Sequence, residues 1–420
     1  MSYKKFSLSL VALAVSLNAY ANWQGFGGDV QHTGFSPEIA PTNSDYIVHT
    51  INEKMKLSSQ MLFNDSAMFF IVAAPTKTEM VCYDTVNYSN LWRTEIPFVD
   101  SGYGTWGTPF LYSNNLLFAT DDKLVCLEAT SGSNLWSADL NWYTVNSSVT
   151  VYSNKVIVPG LSYMNSDLGL MCYDIVSGSN LWNTQIKTNN VFSSCTAAID
   201  ANGFGYLAFA NSIIKFDIES GTNIWEVSFA QYTDFQNISI VDSVILAVQM
   251  GYKGSQANLL AVSTHGVYLW QQVVKETDVP PAIAKDSSGN LIAIHVAGDT
   301  ANQPTISAFD VASGSNLWSH EFIGNYSVMP FIADKVVYAA AAAYDEYYSL
   351  SAITNLTAID FESGTIIHQF EEAGFPIGVQ ANKLYLQNLS QINVLESIPE
   401  PFYFWLFPFL FIGLKRFALK

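Results

Sequence analysis

The sequence predicts an all-β fold: an eight-bladed β-propeller of four-stranded antiparallel blades. Three observations predict it. First, Ser-Gly-Ser-Asn-Leu-Trp occurs at Ser131–Trp136, Ser177–Trp182 and Ser313–Trp318. Looser copies end at Trp92, Trp225 and Trp270, and a seventh puts His368 in the Trp place. These positions are 44, 46, 43, 45, 48 and 50 residues apart. A period in that range marks a repeat architecture. Second, each unit holds four short apolar runs divided by turn residues, the content of one propeller blade. Third, runs around Pro376–Val379, Lys383–Gln387 and Ile392–Glu396 follow the last copy without a fourth. Ile47–Ile51, ahead of the first copy, can supply it. The N-terminal strand then closes the last blade, which removes the open edge of a linear array. Seven blades is the alternative.

Within a unit the strands are called A to D in chain order. Strands A and B form a hairpin. Thr150-Val151-Tyr152 turns at Ser153-Asn154-Lys155 into Val156-Ile157-Val158, and Phe331-Ile332 turns at Ala333-Asp334-Lys335 into Val336-Val337-Tyr338. Such runs of β-branched and aromatic residues about turn formers read as paired strands. Strand C is a run such as Leu124-Val125-Cys126-Leu127. An acid follows, eight positions before the Trp/His: Asp84, Glu128, Asp174, Asp217, Asp310 and Asp360, with Ser263 in a shorter fifth copy. Its side chain can accept turn amides. Gly132, Gly178, Gly221, Gly314 and Gly364 can take positive φ in that turn. Leu-Trp then opens strand D.

The two ends differ from the body. Lys4 and Lys5, the apolar Phe6–Leu17 and Ala19-Tyr20-Ala21 read as a secretory signal over residues 1–21, cleaved after Ala21. A membrane anchor is the alternative, with a short apolar run. Residues 22–398 form the propeller. In residues 399–420, Pro399-Glu400-Pro401 precedes apolar Phe402–Leu414 and then Lys415-Arg416. As a helix that run would span about 20 Å, short of a bilayer core. The chain carries 18 Lys+Arg against 36 Asp+Glu, net −18, with no charged block. That balance argues against nucleic acid and against direct binding to anionic lipid.

Trp23-Gln24-Gly25-Phe26-Gly27-Gly28-Asp29 and His32-Thr33-Gly34-Phe35-Ser36-Pro37 lead into the repeats. This opening, followed by repeated Tyr-Asp-x-x-Ser-Gly-x-x-x-Trp, resembles proteins built from pyrroloquinoline-quinone-type repeats. They include quinoprotein dehydrogenases and the propeller lipoprotein of the outer-membrane β-barrel assembly machinery. The resemblance implies that Trp92, Trp136, Trp182, Trp225, Trp270 and Trp318 are buried between neighbouring blades. Family dehydrogenases of the alcohol-oxidising type hold their quinone between a Trp and a disulfide of adjacent cysteines, near a calcium ion. This chain has no adjacent cysteine pair, and none of the calcium ligands maps onto it. No enzyme activity, catalytic residue, cofactor or metal is therefore expected. No lipobox cysteine follows Ala21 either, since Asn22 stands there. The tail resembles the PEP-CTERM sorting signal of Gram-negative bacteria. That implies an exosortase-type processing enzyme, transient membrane contact through the tail, and delivery to the cell surface or its matrix. A simple membrane tether is the alternative.

Other chemistry-bearing residues have plain structural readings. Cys82, Cys126 and Cys172 sit two places before the acid, where Ala308 and Ala358 stand in later copies. The place calls for a small buried residue. Equivalent positions in different blades are too far apart for a disulfide, although a Cys172–Cys195 bridge stays open. His32, His49, His265, His295, His320 and His368 show no metal-ligand spacing. Asp200-Ala201-Asn202-Gly203 and Asp286-Ser287-Ser288-Gly289-Asn290 look like the start of calcium loops, but they fall at A–B turns and are read as turns.

In a four-stranded meander the A–B and C–D turns share one face of the disc. The B–C loops and D–A links share the other. Here the first set is short and repetitive, and the second is long and irregular. The second holds Tyr103, Trp106, Trp142, Tyr143, Tyr344 and Tyr347. Loops on rigid scaffolds carry function, and aromatic residues anchor recognition. This face is the candidate site for a protein or polysaccharide partner; the alternative is that its aromatics cover the channel mouth. The sequence thus points to a non-catalytic exported binding or scaffold module, placed in the periplasm or outer membrane, or at the cell surface. A quinoprotein dehydrogenase and an envelope assembly scaffold are the alternatives.

Overall fold

The computed structural model describes residues 23–55, 59–74, 77–96, 107–144, 148–162, 167–187, 195–229, 233–251, 257–275, 277, 279–297, 304–322, 326–327, 330–344 and 350–398. The signal and the tail lie outside them. Eight four-stranded antiparallel blades form a ring. Blade 1 is Leu62–Phe63, Ala67–Ala74, Lys77–Asp84 and Asn90–Ile96. Blades 2 to 6 follow in the same order, from Phe110 to Asp139, Thr150 to Lys187, Ala198 to Ser228, Thr233 to Val274 and Ala282 to Glu321. Blade 7 is Phe331–Ala333, Val336–Ala339, Asn355–Asp360 and Ile366–Ala373. Blade 8 is Phe375–Gln380, Lys383–Gln387 and Ile392–Ser397, with Tyr46–Ile51 as its outer strand. That strand runs antiparallel to Ile392–Ser397, Tyr46 opposite Ser397 and Ile51 opposite Ile392. The expected closure of the last blade is present.

Burial follows radius. Strands B and C read as almost continuous apolar runs because neighbouring blades cover both faces of each sheet. In blade 2, Leu116, Leu117, Leu124, Val125, Cys126 and Leu127 are all buried. Strand D is the outer edge, and in blades 1 to 7 its first residues alternate exposed with half-buried from the repeat position onward. The repeat Trp residues, expected to be buried, are therefore half-buried.

Each of these indoles does reach across a blade seam. Trp92, Trp136, Trp182, Trp225, Trp270 and Trp318 donate Nε1–H to the carbonyls of Ala129, Ile175, Ile218, Thr264, Val311 and Phe361 in the next blade, at 2.8–3.3 Å. The ring lies on the next blade's turn glycine. A Cβ on Gly221, whose φ is +70°, would come within 2.6 Å of Trp182. The repeated glycine is thus needed twice, for its backbone angle and for the room it leaves. Each preceding acid caps the same turn; Asp174 Oδ1, for example, accepts the N–H of Val176 and of Ser177.

The lead-in lines the central channel. Innermost strands present backbone N–H groups to the axis, and these need acceptors. The carbonyls of Trp23, Gln24, Val30, Gln31, Thr33 and Gly34 accept from Phe63, Leu111, Ile199, Ile240, Ile283 and Ile332, at 2.7–3.0 Å. The segment therefore walks round the inner wall past blades 1, 2, 4, 5, 6 and 7. It then pairs Phe35–Ser36 in parallel with blade 7 and crosses to blade 8. Asp29 holds the loop by accepting from Gln31 N–H (2.8 Å) and from the Thr33 hydroxyl (2.5 Å). Burial raises its carboxyl above the usual range.

Candidate binding face

On the B–C/D–A side a belt of polar side chains stands just ahead of the innermost strands. Gln60 N–H donates to Thr108 Oγ1 (3.1 Å), Thr108 N–H to Ser148 Oγ (2.8 Å), Ser148 N–H to Thr196 Oγ1 (3.1 Å) and Thr196 N–H to Asn237 Oδ1 (3.0 Å). From blade 1 to blade 5 each blade's side chain thus caps the N–H of the blade before it, and the belt is a base for the links above it.

The link from blade 2 to blade 3 carries the best-placed candidates. Its backbone is tied down on both sides. Leu140 N–H donates to Asp122 O and Thr144 N–H to Asp121 O, while Tyr143 exchanges two bonds with Leu161 at 2.7 and 2.9 Å. Trp142 lies across strands B and C of blade 3, where Gly160 and Gly169 are direct cross-strand partners. A Cβ on Gly169 would come within 2.6 Å of the indole, and one on Gly160 within 2.8 Å of the Trp142 Cβ. The glycine pair makes a flat floor for the ring, the way aromatic residues cover glycine in sheets. Trp142 stays half-buried, and Tyr143 beside it is 36% exposed. Asp121, under Thr144, is buried, and its Oδ2 has no hydrogen-bond partner among the described residues.

Tyr344 ends a strand, Ala341–Tyr344, that carries blade 7 beyond the disc on this same side. With Leu350–Ile353 and Tyr326–Ser327 it forms a small three-stranded sheet. The placement of its side chain, and Tyr103, Trp106 and Tyr347 altogether, lie outside the described residues. The structure therefore brings Trp142 and Tyr143 together and puts the backbone of Tyr344 on the same face. The sequence reading missed Asp121 and the glycine floor. A paired Gly at both ends of a long B–C hairpin was the available signal.

The opposite face matches its plain reading. Asp200 and Asp286 close A–B turns. Asp200 Oδ1 accepts from Asn202 and Phe204 N–H, and Asp286 Oδ1 from Ser288 and Asn290 N–H.

The quinoprotein resemblance raises the question whether a quinone and its calcium ion would fit. Cys82, Cys126 and Cys172 are buried free thiols, and Cys195 is buried. Cys82, Cys126 and Cys172 lie directly opposite the Trp of their own blades. Burial pushes those three thiols up to about 12, and the repeat indoles are engaged at seams. Among the described residues no group of three or more His, Cys, Asp or Glu is placed to hold a metal ion. This donor set does not fit the family's quinone arrangement.

Residues 76–273 match the family model PQQ_2, described as outer membrane protein assembly factor BamB. Among solved structures, the quinohemoprotein alcohol dehydrogenase from Comamonas testosteroni superposes with a TM-score of 0.67 at 12% identity, over 90% of this chain and 80% of that one. BamB from Moraxella catarrhalis superposes at 0.55 with 17% identity, over 83% and 98%. The computationally designed Ika8 protein superposes at 0.60 with 12% identity, over 83% and 98%. At these identities the likeness is one of fold. No curated protein matches the sequence.

Proposed function

We propose that this propeller is a non-catalytic, exported binding module that engages a protein or polysaccharide partner through its B–C/D–A face. The observation that carries the reading is Trp142 seated on Gly160 and Gly169 beside exposed Tyr143. A rigid, part-exposed aromatic pair on a tied-down loop loses little entropy on binding. The match to a model described as an assembly factor supports a protein partner. The tail motif Pro399-Glu400-Pro401 supports polysaccharide, through export to a surface matrix by an exosortase-type enzyme. In the sequence Tyr103, Trp106, Tyr344 and Tyr347 fall in the loops and links assigned to this face; of these, only the Tyr344 backbone is among the described residues.

The test is binding of the chain, purified from its native cells, to exopolysaccharide and to outer-membrane protein fractions from those cells. The Trp106→Ala/Trp142→Ala double variant should lose that binding while keeping its β-sheet circular dichroism. Undiminished binding by a folded double variant overturns the assignment of the face.

A further inference from the structure

We infer that blade 8 is an electrostatic latch: the ring opens there first, and added salt eases the opening. The inference goes beyond the binding reading and uses none of its residues. Six seams, from blade 1/2 to blade 6/7, share one design, an indole on a turn glycine with its N–H on a carbonyl of the next blade. The two seams that flank blade 8 lack it. His368 occupies the indole's place at the first, opposite Ala358. Blade 8 has no C–D turn to receive it, because its strand D comes from the N-terminus.

At the second seam every part is substituted. His49 lies opposite Val394 and so takes the indole's place in blade 8, while Glu396, opposite Lys383, takes the acid's. Tyr88, at φ 57°, replaces the turn glycine of blade 1. Its ring meets His49 with centroids 4.8 Å apart. The carbonyl that an indole would reach belongs to Thr85, and Lys383 Nζ takes it at 2.8 Å. Glu396 then joins the pieces, 3.1 Å from His49 Nε2, 3.4 Å from the Tyr88 hydroxyl and 3.8 Å from Lys383 Nζ. His49 and Glu396 are more than a third exposed. Salt therefore screens this cluster, as the Debye length falls from about 10 Å at 0.1 M to about 3 Å at 1 M; the indole contacts are not ionic, although Lys155–Glu219 and Lys187–Glu226 cross seam 3/4 and Lys285–Asp242 crosses seam 5/6.

Blade 8 also carries three of the five buried side-chain atoms without a partner among the described residues: Gln380 Oε1, Tyr385 Oη and Gln387 Oε1. Each such atom favours an open, hydrated state. Local opening starts where packing is weakest.

Hydrogen exchange read by mass spectrometry on the full chain tests this. Peptides over Tyr46–Ile51 and Ile392–Ser397 should exchange roughly tenfold or more faster than the C and D strands of blade 2, whose two seams are crossed by no ion pair among the described residues, the factor that goes with about 1.4 kcal/mol. The gap should widen from 0.05 M to 1 M sodium chloride, values chosen as roughly bracketing the screening range. The His49→Trp/Tyr88→Gly variant, which restores the common seam, should slow blade 8 and flatten its salt response. Equal exchange in all blades, or one salt response shared by all, overturns the latch. The wild-type comparison alone decides this if the variant does not fold.

Discussion

Trp182 and Gly221 offer the sharpest test of how the blades hold together. The Trp182 indole is half-buried in the blade 3/4 seam and donates to Ile218 O at 3.0 Å. Full burial would put Trp→Ala at about 3–5 kcal/mol; half-burial brings it to about 2–3 kcal/mol, including about 1 kcal/mol for the hydrogen bond. Gly221→Ala meets two obstacles. Its φ of +70° costs a non-glycine residue about 1–2 kcal/mol, and the new Cβ falls within 2.6 Å of the indole. Removal of the indole removes most of the second obstacle, leaving the rotatable Thr184 hydroxyl at 2.5 Å, and leaves the first. The double variant should therefore be less destabilised than the sum of the singles, by about 0.5–3 kcal/mol. Urea denaturation of the wild type, both singles and the double, monitored by circular dichroism with matched slopes, measures the cycle. Strict additivity would refute the claim that the repeat's glycine and its Trp are one device across a seam.

Four further outcomes follow from the structure. His32 and His295 are buried, and that burial lowers each ring to about 4 from the ordinary 6.5. A lowered folded value means stability that is present above pH 6.5 and is lost as pH falls toward 4, by roughly 3 kcal/mol for each ring; His32→Gln should flatten the pH dependence of the urea midpoint. Arg93 bridges Glu53 and Glu79, whose side chains are 13% and 8% exposed; Arg93→Ala should cost about 1–3 kcal/mol, since Glu53 keeps only the Tyr83 hydroxyl and Glu79 only Lys77, and Lys should restore only part of it. Cys82, Cys126 and Cys172, raised to about 12 by burial, should resist iodoacetamide until the protein unfolds, as read by peptide mass. Intact mass of the protein from native cells should show loss of residues 1–21 and cleavage near Pro399; a full-length tail in the membrane fraction would instead mark a tether.

The candidate face was legible only in part. Its aromatic residues stood out because Trp142 and Trp106 fall outside the repeat's Trp position. Their surroundings did not stand out. Gly160 and Gly169 become one floor only when strands B and C of blade 3 pair, and Asp121 is buried only when the link folds over it. These are contacts between segments that no local pattern relates. Equally, the sequence placed the lead-in ahead of the repeats without showing that it would circle the channel wall.

By itself, the sequence determined the blade count, the strand content of each blade, the turn chemistry and the ring's closure by the N-terminal strand. A repeat writes each of these locally, in the period and in the acid, Gly and Trp that recur with it. The tertiary structure alone decided where the rule is broken. Tyr88 in a glycine's place, His49 in a Trp's place and Lys383 on the Thr85 carbonyl make sense only as one seam. The residues of that seam lie up to 347 positions apart in the chain. They come together because a ring must join its last blade to its first, and that contact is set by closure rather than by any neighbour in sequence.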